Sequence, residues 1–159
     1  MRREQGFSLI ELLIVVAIIL IICAIAIPNM FRAKINANES SAVASLRAIG
    51  TGEITYAATY PTVGFSLNLG SLGGTSCTAP TSTSACIIDN TLATATSAPN
   101  SRTGYYFTYL PNSAVGYTAW ADPAYWNQSG TKHFYTDSSG VIRYNSSNQS
   151  ASATDPIIQ

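Results

Sequence analysis

Phe7–Ile27 has the sequence FSLIELLIVVAIILIICAIAI, an apolar stretch that is broken only by Ser8 and Glu11. As an α-helix these 21 residues would extend for about 30 Å, which matches the hydrocarbon thickness of a bilayer. Arg2 and Arg3 precede the stretch and are expected to stay on the cytoplasmic side. The stretch therefore predicts a single membrane-spanning helix, with the rest of the chain outside the cytoplasm.

The remainder of the chain has a different composition. Only 10% of all 159 residues of the chain are charged, against roughly 25% in soluble globular proteins, and the formal net charge of the whole chain is +0. A neutral chain gives no electrostatic reason to expect a nucleic acid as a partner. After about Gly70 the sequence is rich in Ser, Thr, Ala, Gly, Asn and Tyr. The length leaves room for one domain besides the apolar helix.

Four processing outcomes are open for a chain that starts in this way. The small residues of Ala24-Ile25-Ala26 fit ordinary signal peptidase, which would leave a domain that begins at Ile27. Leu20–Cys23 is similar to a lipoprotein site, although such a site needs small residues where two isoleucines stand. The helix could also remain as an uncut anchor. In the fourth outcome the chain is cut on the cytoplasmic side, before the apolar stretch.

Glu11 distinguishes these outcomes, because a signal sequence has no use for a carboxylate. At the bilayer centre such a group costs about 2.5–3.5 kcal/mol, and less near the interface, where Glu11 would lie. One interpretation is that it complements the helix macrodipole, for about 0.3–1 kcal/mol. The other is that it needs a positive partner when several such helices pack together. A cut after Gly6 supplies one, the α-amine of Phe7, with a reference pKa of about 7.7–8.0. A pair of this kind would set the register of assembly.

The residues around Glu11 resemble a known signal. Arg2–Gly6, followed by Phe7-Ser8-Leu9-Ile10-Glu11-Leu12-Leu13, is similar to the class III signal of type IV prepilins and type II secretion pseudopilins. The resemblance implies a cut between Gly6 and Phe7 by prepilin peptidase, with N-methylation of Phe7. It further implies that Glu11 pairs with Phe7 of an adjacent subunit during assembly. Pro28 stands where the family commonly has a proline that kinks the helix.

The apolar helix is predicted to continue as an amphipathic one. Pro28 should bend the helix without ending it, and Pro61 should end it. Apolar residues then follow a helical spacing, and this stripe is expected to pack on the chain's own domain. The stripe consists of Phe31, Ile35, Ala42, Leu46 and Ile49, and the polar residues that fall mostly off it are Arg32, Lys34, Asn36 and Glu39.

Cys77 and Cys86 lie in a segment rich in small polar residues. Export favours a disulfide between them, because such a bond needs an oxidising compartment; the alternative is two free thiols in a reducing cytosol. Thr62–Thr103 as a whole is interpreted as a surface connection, with a short helix near Ile87–Leu92.

The last third of the chain is predicted to form an antiparallel sheet. Residues that favour strands are dense in four short runs, of which the last two are joined by the turn residues 137–140. The runs are Tyr105–Leu110, Val115–Ala121, His133–Thr136 and Val141–Asn145. Pro111-Asn112-Ser113 is predicted to be a turn and Asp122–Lys132 a loop. The fold class is therefore α+β: a long N-terminal helix, apolar in its first half, packed on a small antiparallel sheet of three to four strands.

No catalytic, metal or cofactor site is predicted. His133 is the only histidine, and on a strand with one solvated face it is interpreted as an ordinary half-exposed residue. Asp122 and Asp137 lack the dense acidic spacing of a calcium loop, so they are interpreted as turn residues. The chain is therefore predicted not to be an enzyme.

The sequence is thus identified as that of a type IV pilin-like prepilin with the pilin fold. Its predicted segments are a leader at 1–6, a transmembrane and filament-core helix at 7–28, the amphipathic half of that helix at 29–60, and an extracytoplasmic loop and sheet domain at 61–159. The expected function is that of a structural subunit of a pilus, or fimbrium, a filament that could serve motility or cell adhesion. The alternatives are a type II secretion pseudopilin and an exported or membrane-anchored binding or adhesion domain.

The resemblance also implies partners and a location. The partners are copies of the chain and other pilins, met through the N-terminal helices, together with prepilin peptidase and an inner-membrane assembly platform. Membrane lipid surrounds the helix before assembly. The chain is expected to be a single-pass inner-membrane protein at that stage, and part of an extracellular or periplasmic filament afterwards.

Overall fold

The computed structural model of the chain describes residues 7–75, 77–112 and 116–158. They form an α+β fold with a long N-terminal helix and a four-stranded antiparallel sheet, as the sequence predicts. The chain divides into two compact units, Met1–Lys34 and Ile35–Gln159. The predicted leader lies outside the described residues, and the boundaries between the four predicted segments stay predictions.

Helix α1 spans 51 residues, from Leu9 to Thr59. It continues through Pro28, as expected for a proline that removes one backbone donor from a long helix. The kink at this proline stays a prediction. The helix ends two residues before Pro61, which confirms the predicted end.

Within the second unit, one face of α1 is buried. Ala42, Leu46 and Ile49 of the predicted stripe are at most 1% exposed. Phe31 belongs to the first unit and is 58% exposed, so the prediction is wrong for that residue. The buried face also carries two carboxylates, those of Glu39 and Glu53. An apolar spacing pattern does not reveal these two positions.

Glu39 was predicted to lie off the buried stripe, and the structure corrects this. Its side chain is buried because the loop before the third strand supplies partners for both oxygens. Oε1 accepts hydrogen bonds from Thr131, from the backbone N–H at 3.0 Å and from the hydroxyl at 2.7 Å. The ammonium of Lys132 lies 3.0 Å from Oε2. A buried charge that is paired and hydrogen-bonded in this way is tolerated.

Glu53 is fully buried and has no cationic partner among the described residues. Its carboxylate accepts two hydrogen bonds from Ser66, one from the backbone N–H at 2.9 Å and one from the hydroxyl at 2.5 Å. The Tyr109 hydroxyl donates to the Ser66 carbonyl at 3.0 Å. Burial, and after it the nearby Glu53, raises the pKa of Tyr109, so this hydroxyl stays a donor. The network connects α1, the following loop and the first strand.

We expect Glu39→Gln to lower the free energy of unfolding of the second unit by about 1 kcal/mol at neutral pH, because Lys132 is partly exposed and solvent screens the pair. Burial raises the pKa of Glu39, but the hydrogen bonds from Thr131 and from Lys132 outweigh it, so the pKa lies below its ordinary value. A lowered folded-state pKa stabilises the fold above the pKa of the unfolded carboxyl, about 4.3, and this stability is lost as the pH falls through the folded-state pKa. Urea unfolding followed by tryptophan fluorescence should therefore show the difference at pH 7 and lose it in acid. A difference that is the same at both pH values would contradict the role given to the carboxylate.

The connection between α1 and the sheet holds two short helices and a 3₁₀ turn. Helix α2 spans Leu69–Leu72, helix α3 spans Asn90–Ala93, and the 3₁₀ turn spans Ala98–Asn100. The predicted helix near Ile87–Leu92 is confirmed, although it begins at Asn90 after the capping residue Asp89. Helix α2 was not predicted, and its two leucines are almost completely buried. The connection, which was predicted to lie on the surface, therefore contributes residues to the hydrophobic core.

The sheet contains four antiparallel strands in chain order. They are β1 (Tyr105–Asn112), β2 (Gly116–Pro123), β3 (His133–Asp137) and β4 (Arg143–Asn145). Alternate residues of β1 and β2 join α1 in one core. Its larger members are Leu46, Ile49, Tyr56, Leu69, Leu72, Leu92, Tyr105, Phe107, Tyr117 and Phe134.

The predicted turn at Pro111 is wrong. Pro111 and Asn112 continue β1 and pair with Tyr117 and Gly116. A proline is acceptable there because β1 is an edge strand, so the missing N–H removes no bond to a further strand. The remaining turn residue Ser113, like the predicted strand start at Val115, lies outside the described residues.

Candidate functional site

The candidate site is the start of α1, where Glu11 belongs to the first helical turn. One oxygen of its carboxylate accepts a hydrogen bond from the backbone N–H of Ser8 at 2.8 Å. The Ser8 carbonyl in turn accepts from Leu12 N–H at 3.3 Å. The side chain of Glu11 thus caps its own helix, which is one half of a capping box. Phe7, just before this turn, is 91% exposed, and Gly6 lies outside the described residues.

The capping contact was missed at the sequence level, although the spacing of Ser8 and Glu11 could have revealed it. A serine followed three residues later by a glutamate is the usual signature. The contact occupies one acceptor position of a carboxylate that has roughly four. Glu11 can therefore keep this hydrogen bond and still accept one from a further cation.

The apolar residues before and after Glu11 in the sequence are exposed. Helix α1 is the one helix in the described part of the chain that is long and apolar enough to cross a membrane, by length and composition alone. None of the residues in its most apolar window is buried. Leu13, Ile22 and Ile25, for example, are 60–66% exposed. Contiguous apolar surface of this extent requires lipid or other protein as cover.

The structure contains the predicted disulfide. Cys77 and Cys86 are bonded, with their Cα atoms 5.7 Å apart. The loop that they close is tied to α1, because the Tyr56 hydroxyl donates to the carbonyl of Ser82 at 2.5 Å. Cys23 is a free, exposed cysteine in the apolar segment.

His133 is not the half-exposed residue that the sequence predicted. It is buried, with Nδ1 2.5 Å from Oδ1 of Asp122, and the ring of Trp126 stacks on it at 5.0 Å between centroids. The Ser150 hydroxyl donates to Asp122 at 3.3 Å. The order of contacts is thus Ser–Asp–His, whereas nucleophilic catalysis needs the serine on the far nitrogen of the histidine.

Of the two aspartates interpreted as turn residues, Asp137 has the expected contact in the structure and Asp122 does not. Asp122 belongs to β2 rather than to a loop, because it pairs with Tyr106 of β1. The tail returns over the outer face of the sheet, where Trp120 donates to the Ala151 carbonyl at 2.9 Å. Asp137 does accept from the Ser139 N–H at 2.8 Å, as a turn residue should. No group of three or more possible metal ligands occurs among the described residues.

Comparison with known proteins finds similarity to type IV pilins. Residues 1–27 match a family model described as the prokaryotic N-terminal methylation motif. The chain is 46% identical over 54 residues to the type IV major pilin protein PilA of Myxococcus xanthus, an alignment that covers 34% of this chain and 24% of that protein. The resemblance to type IV pilins is confirmed.

A second pilin relative shows a similar extent of match. The type IV wide pilus major component PilA4 of Thermus thermophilus is 52% identical over 46 residues, or 29% of this chain and 35% of that protein. The pilin-like chain therefore aligns with about a quarter to a third of the length of these relatives. No solved structure matches it.

Proposed function

We propose that the chain is a structural subunit of a type IV pilus-like filament that assembles through the N-terminal half of α1. The observation that carries the proposal is the coincidence of three features. Residues 1–27 match the methylation motif, the helix within them is apolar and uncovered, and Glu11 is the only carboxylate in it after Phe7. An apolar helix that needs a cover and carries one charge suits a bundle of identical helices.

The first step is a cut between Gly6 and Phe7 by prepilin peptidase, followed by N-methylation of Phe7. The cut removes the polar leader 1–6 and leaves an α-ammonium at the tip of the helix. A methylated amine is still basic, so it is mostly protonated at neutral pH. Because Phe7 is exposed, its amine is free to meet a second chain.

In the second step, Glu11 of one subunit accepts the Phe7 ammonium of its neighbour. Separately, each charge is expensive to bury among apolar helices; together they neutralise one another and fix the axial shift between neighbours. The capping bond from Ser8 holds the carboxylate in place while leaving acceptor positions for the ammonium. An inner-membrane assembly platform lifts the subunit from the lipid into the filament.

The remaining segments have distinct roles in this proposal. Residues 7–28 form the filament core, 29–60 are the amphipathic half of the same helix, and 61–159 form the outer surface, outside the cytoplasm throughout. A type II secretion pseudopilin would carry the same N-terminal motif. We favour a pilin because both relatives are named as main pilus components, and such names also fit a chain that is not an enzyme. The disulfide also suits a surface that is exposed for long periods.

Intact mass and N-terminal sequencing of the membrane and sheared-surface fractions test the proposal. We expect the mature chain to begin at methylated Phe7 and to occur in the sheared fraction. A chain that begins at Ile27, carries lipid on Cys23 or retains Met1 would contradict it. Those products correspond to an exported domain, a lipoprotein and an uncut anchor, and in each of them Glu11 has no neighbouring amine.

A further inference from the structure

Arg32 and Lys34 are exposed basic residues at the end of the first unit, just beyond the apolar segment. In the described part of the chain neither forms an ion pair. The residues between them and the apolar segment include Met30 and Phe31, which are 66% and 58% exposed. Two unpaired cations thus follow directly on an uncovered apolar helix.

Their distance from the end of the apolar segment places both at the level of lipid headgroups. Arg32 and Lys34 stand five and seven residues after Ile27, or about 8 and 10 Å along a helix. The headgroup layer extends for roughly 5–8 Å beyond the hydrocarbon on each side. Long basic side chains can cover such a difference by bending towards the interface. The guanidinium and ammonium groups therefore reach the depth of the phosphates.

Membrane topology does not account for these two residues. The positive-inside rule counts Lys and Arg within roughly 15–20 residues of a membrane helix. With Arg2 and Arg3 on the cytoplasmic side, Arg32 and Lys34 lie on the side of the membrane where this rule disfavours basic residues. A local partner on their own side of the membrane gives a better explanation.

A second copy of α1 offers these cations no carboxylate at this level. Beyond Glu11, the acidic residues of the helix are Glu39 and Glu53, and both are buried and hydrogen-bonded within their own unit. The exposed charges of α1 after Glu11 are all basic. Like charges on neighbouring helices repel, so the complementary partner is an anion from elsewhere.

We propose that Arg32 and Lys34 bind the phosphate groups of anionic phospholipids in the leaflet next to the extracytoplasmic domain. The guanidinium of Arg32 can contact a phosphate through two N–H groups, and Lys34 adds a point charge. The contact holds the unassembled subunit at a defined depth and is given up on entry into the filament. The inference rests on the proposed function only in that the helix spans a membrane before assembly.

The test measures how the full chain partitions between neutral detergent micelles and vesicles. Vesicles of phosphatidylcholine are compared with vesicles that also contain phosphatidylglycerol. An exposed basic residue near an anionic surface contributes about a fivefold preference. Arg32→Gln and Lys34→Gln should therefore each lower the preference for the anionic vesicles about fivefold, and the double variant roughly 25-fold.

Arg47→Gln is the matched control. It removes the same charge from an exposed position of the same helix, but about 30 Å along the helix beyond Ile27, which is about two Debye lengths past the headgroup layer in 0.1 M salt. It should leave the preference unchanged. Arg2 and Arg3 are kept in every variant, so any attraction that they have for anionic lipid is constant. Inorganic phosphate added to neutral vesicles should not increase the partitioning of the chain into them, because the proposed ligand is a phosphate group held in the membrane.

The outcomes separate the inference from the proposed function. Entry into neutral vesicles with a loss of anionic preference in the Arg32 and Lys34 variants supports the inference. Entry into neutral vesicles with an unchanged preference in the double variant, or an equal loss in Arg47→Gln, overturns the inference and leaves the proposed function standing. A chain that enters neither kind of vesicle overturns both.

Discussion

Replacing Glu11 with alanine should lower the amount of the chain in filaments by at least about 100-fold, while insertion into the membrane and cutting after Gly6 continue. The variant leaves the Phe7 ammonium of a neighbour unpaired among apolar helices, and breaking a buried pair in this way costs about 3–5 kcal/mol. The measurement is the ratio of chain in the sheared-surface fraction to chain in the membrane fraction, with the mature N-terminus verified by mass.

Glu11→Gln separates the charge of Glu11 from its capping role. Glutamine keeps an oxygen that can accept the hydrogen bond from the Ser8 N–H, but it carries no charge. If the ion pair drives assembly, the glutamine variant should fail as the alanine variant does. If both variants enter filaments normally, Glu11 has no role in assembly; if glutamine alone is normal, capping is its role.

Removing the disulfide should lower the free energy of unfolding of the second unit by roughly 2.5 kcal/mol. The estimate follows from the loop entropy that a bond across a sequence separation of 9 removes from the unfolded chain. The variant is Cys77→Ser with Cys86→Ser, in the full chain in neutral detergent. Unfolding by urea can be followed through Trp120 and Trp126, which both belong to this unit.

Two controls accompany the disulfide variant. Cys23→Ser should leave stability unchanged, because this cysteine is free and lies in the first unit. A reductant should destabilise the wild-type chain by the same amount as the double substitution and should have no effect on the double variant. Equal stability of the reduced and oxidised wild-type chains would show that the bond contributes nothing to the folded domain.

The strands show where prediction from sequence succeeds and where it fails. Tyr105–Leu110 was recognised because β-branched and aromatic residues favour strands wherever they occur. The extension through Pro111 was missed because a proline is acceptable only on an edge strand, and the order of the strands is a property of the whole sheet. Residue propensity therefore predicts that a strand exists, whereas its length depends on the neighbouring strands of the sheet.

The N-terminal segment is the part of this protein that the sequence determines by itself. The apolar length and the single carboxylate of residues 7–27, and the methylation motif matched over residues 1–27, need no contact with the rest of the chain. The spacing of Ser8 and Glu11 likewise suffices for the helix cap. These features involve only residues within one helical turn or one helix. They can therefore be recognised from the sequence pattern.

Only the tertiary structure decided which polar residues are buried. Glu39 finds its partners 92 and 93 residues away, in Thr131 and Lys132, and Asp122 is covered by Ser150 of the returning tail. A polar side chain can be buried only where hydrogen-bond partners meet it. Those partners are distant in sequence, and only the tertiary structure brings them into contact.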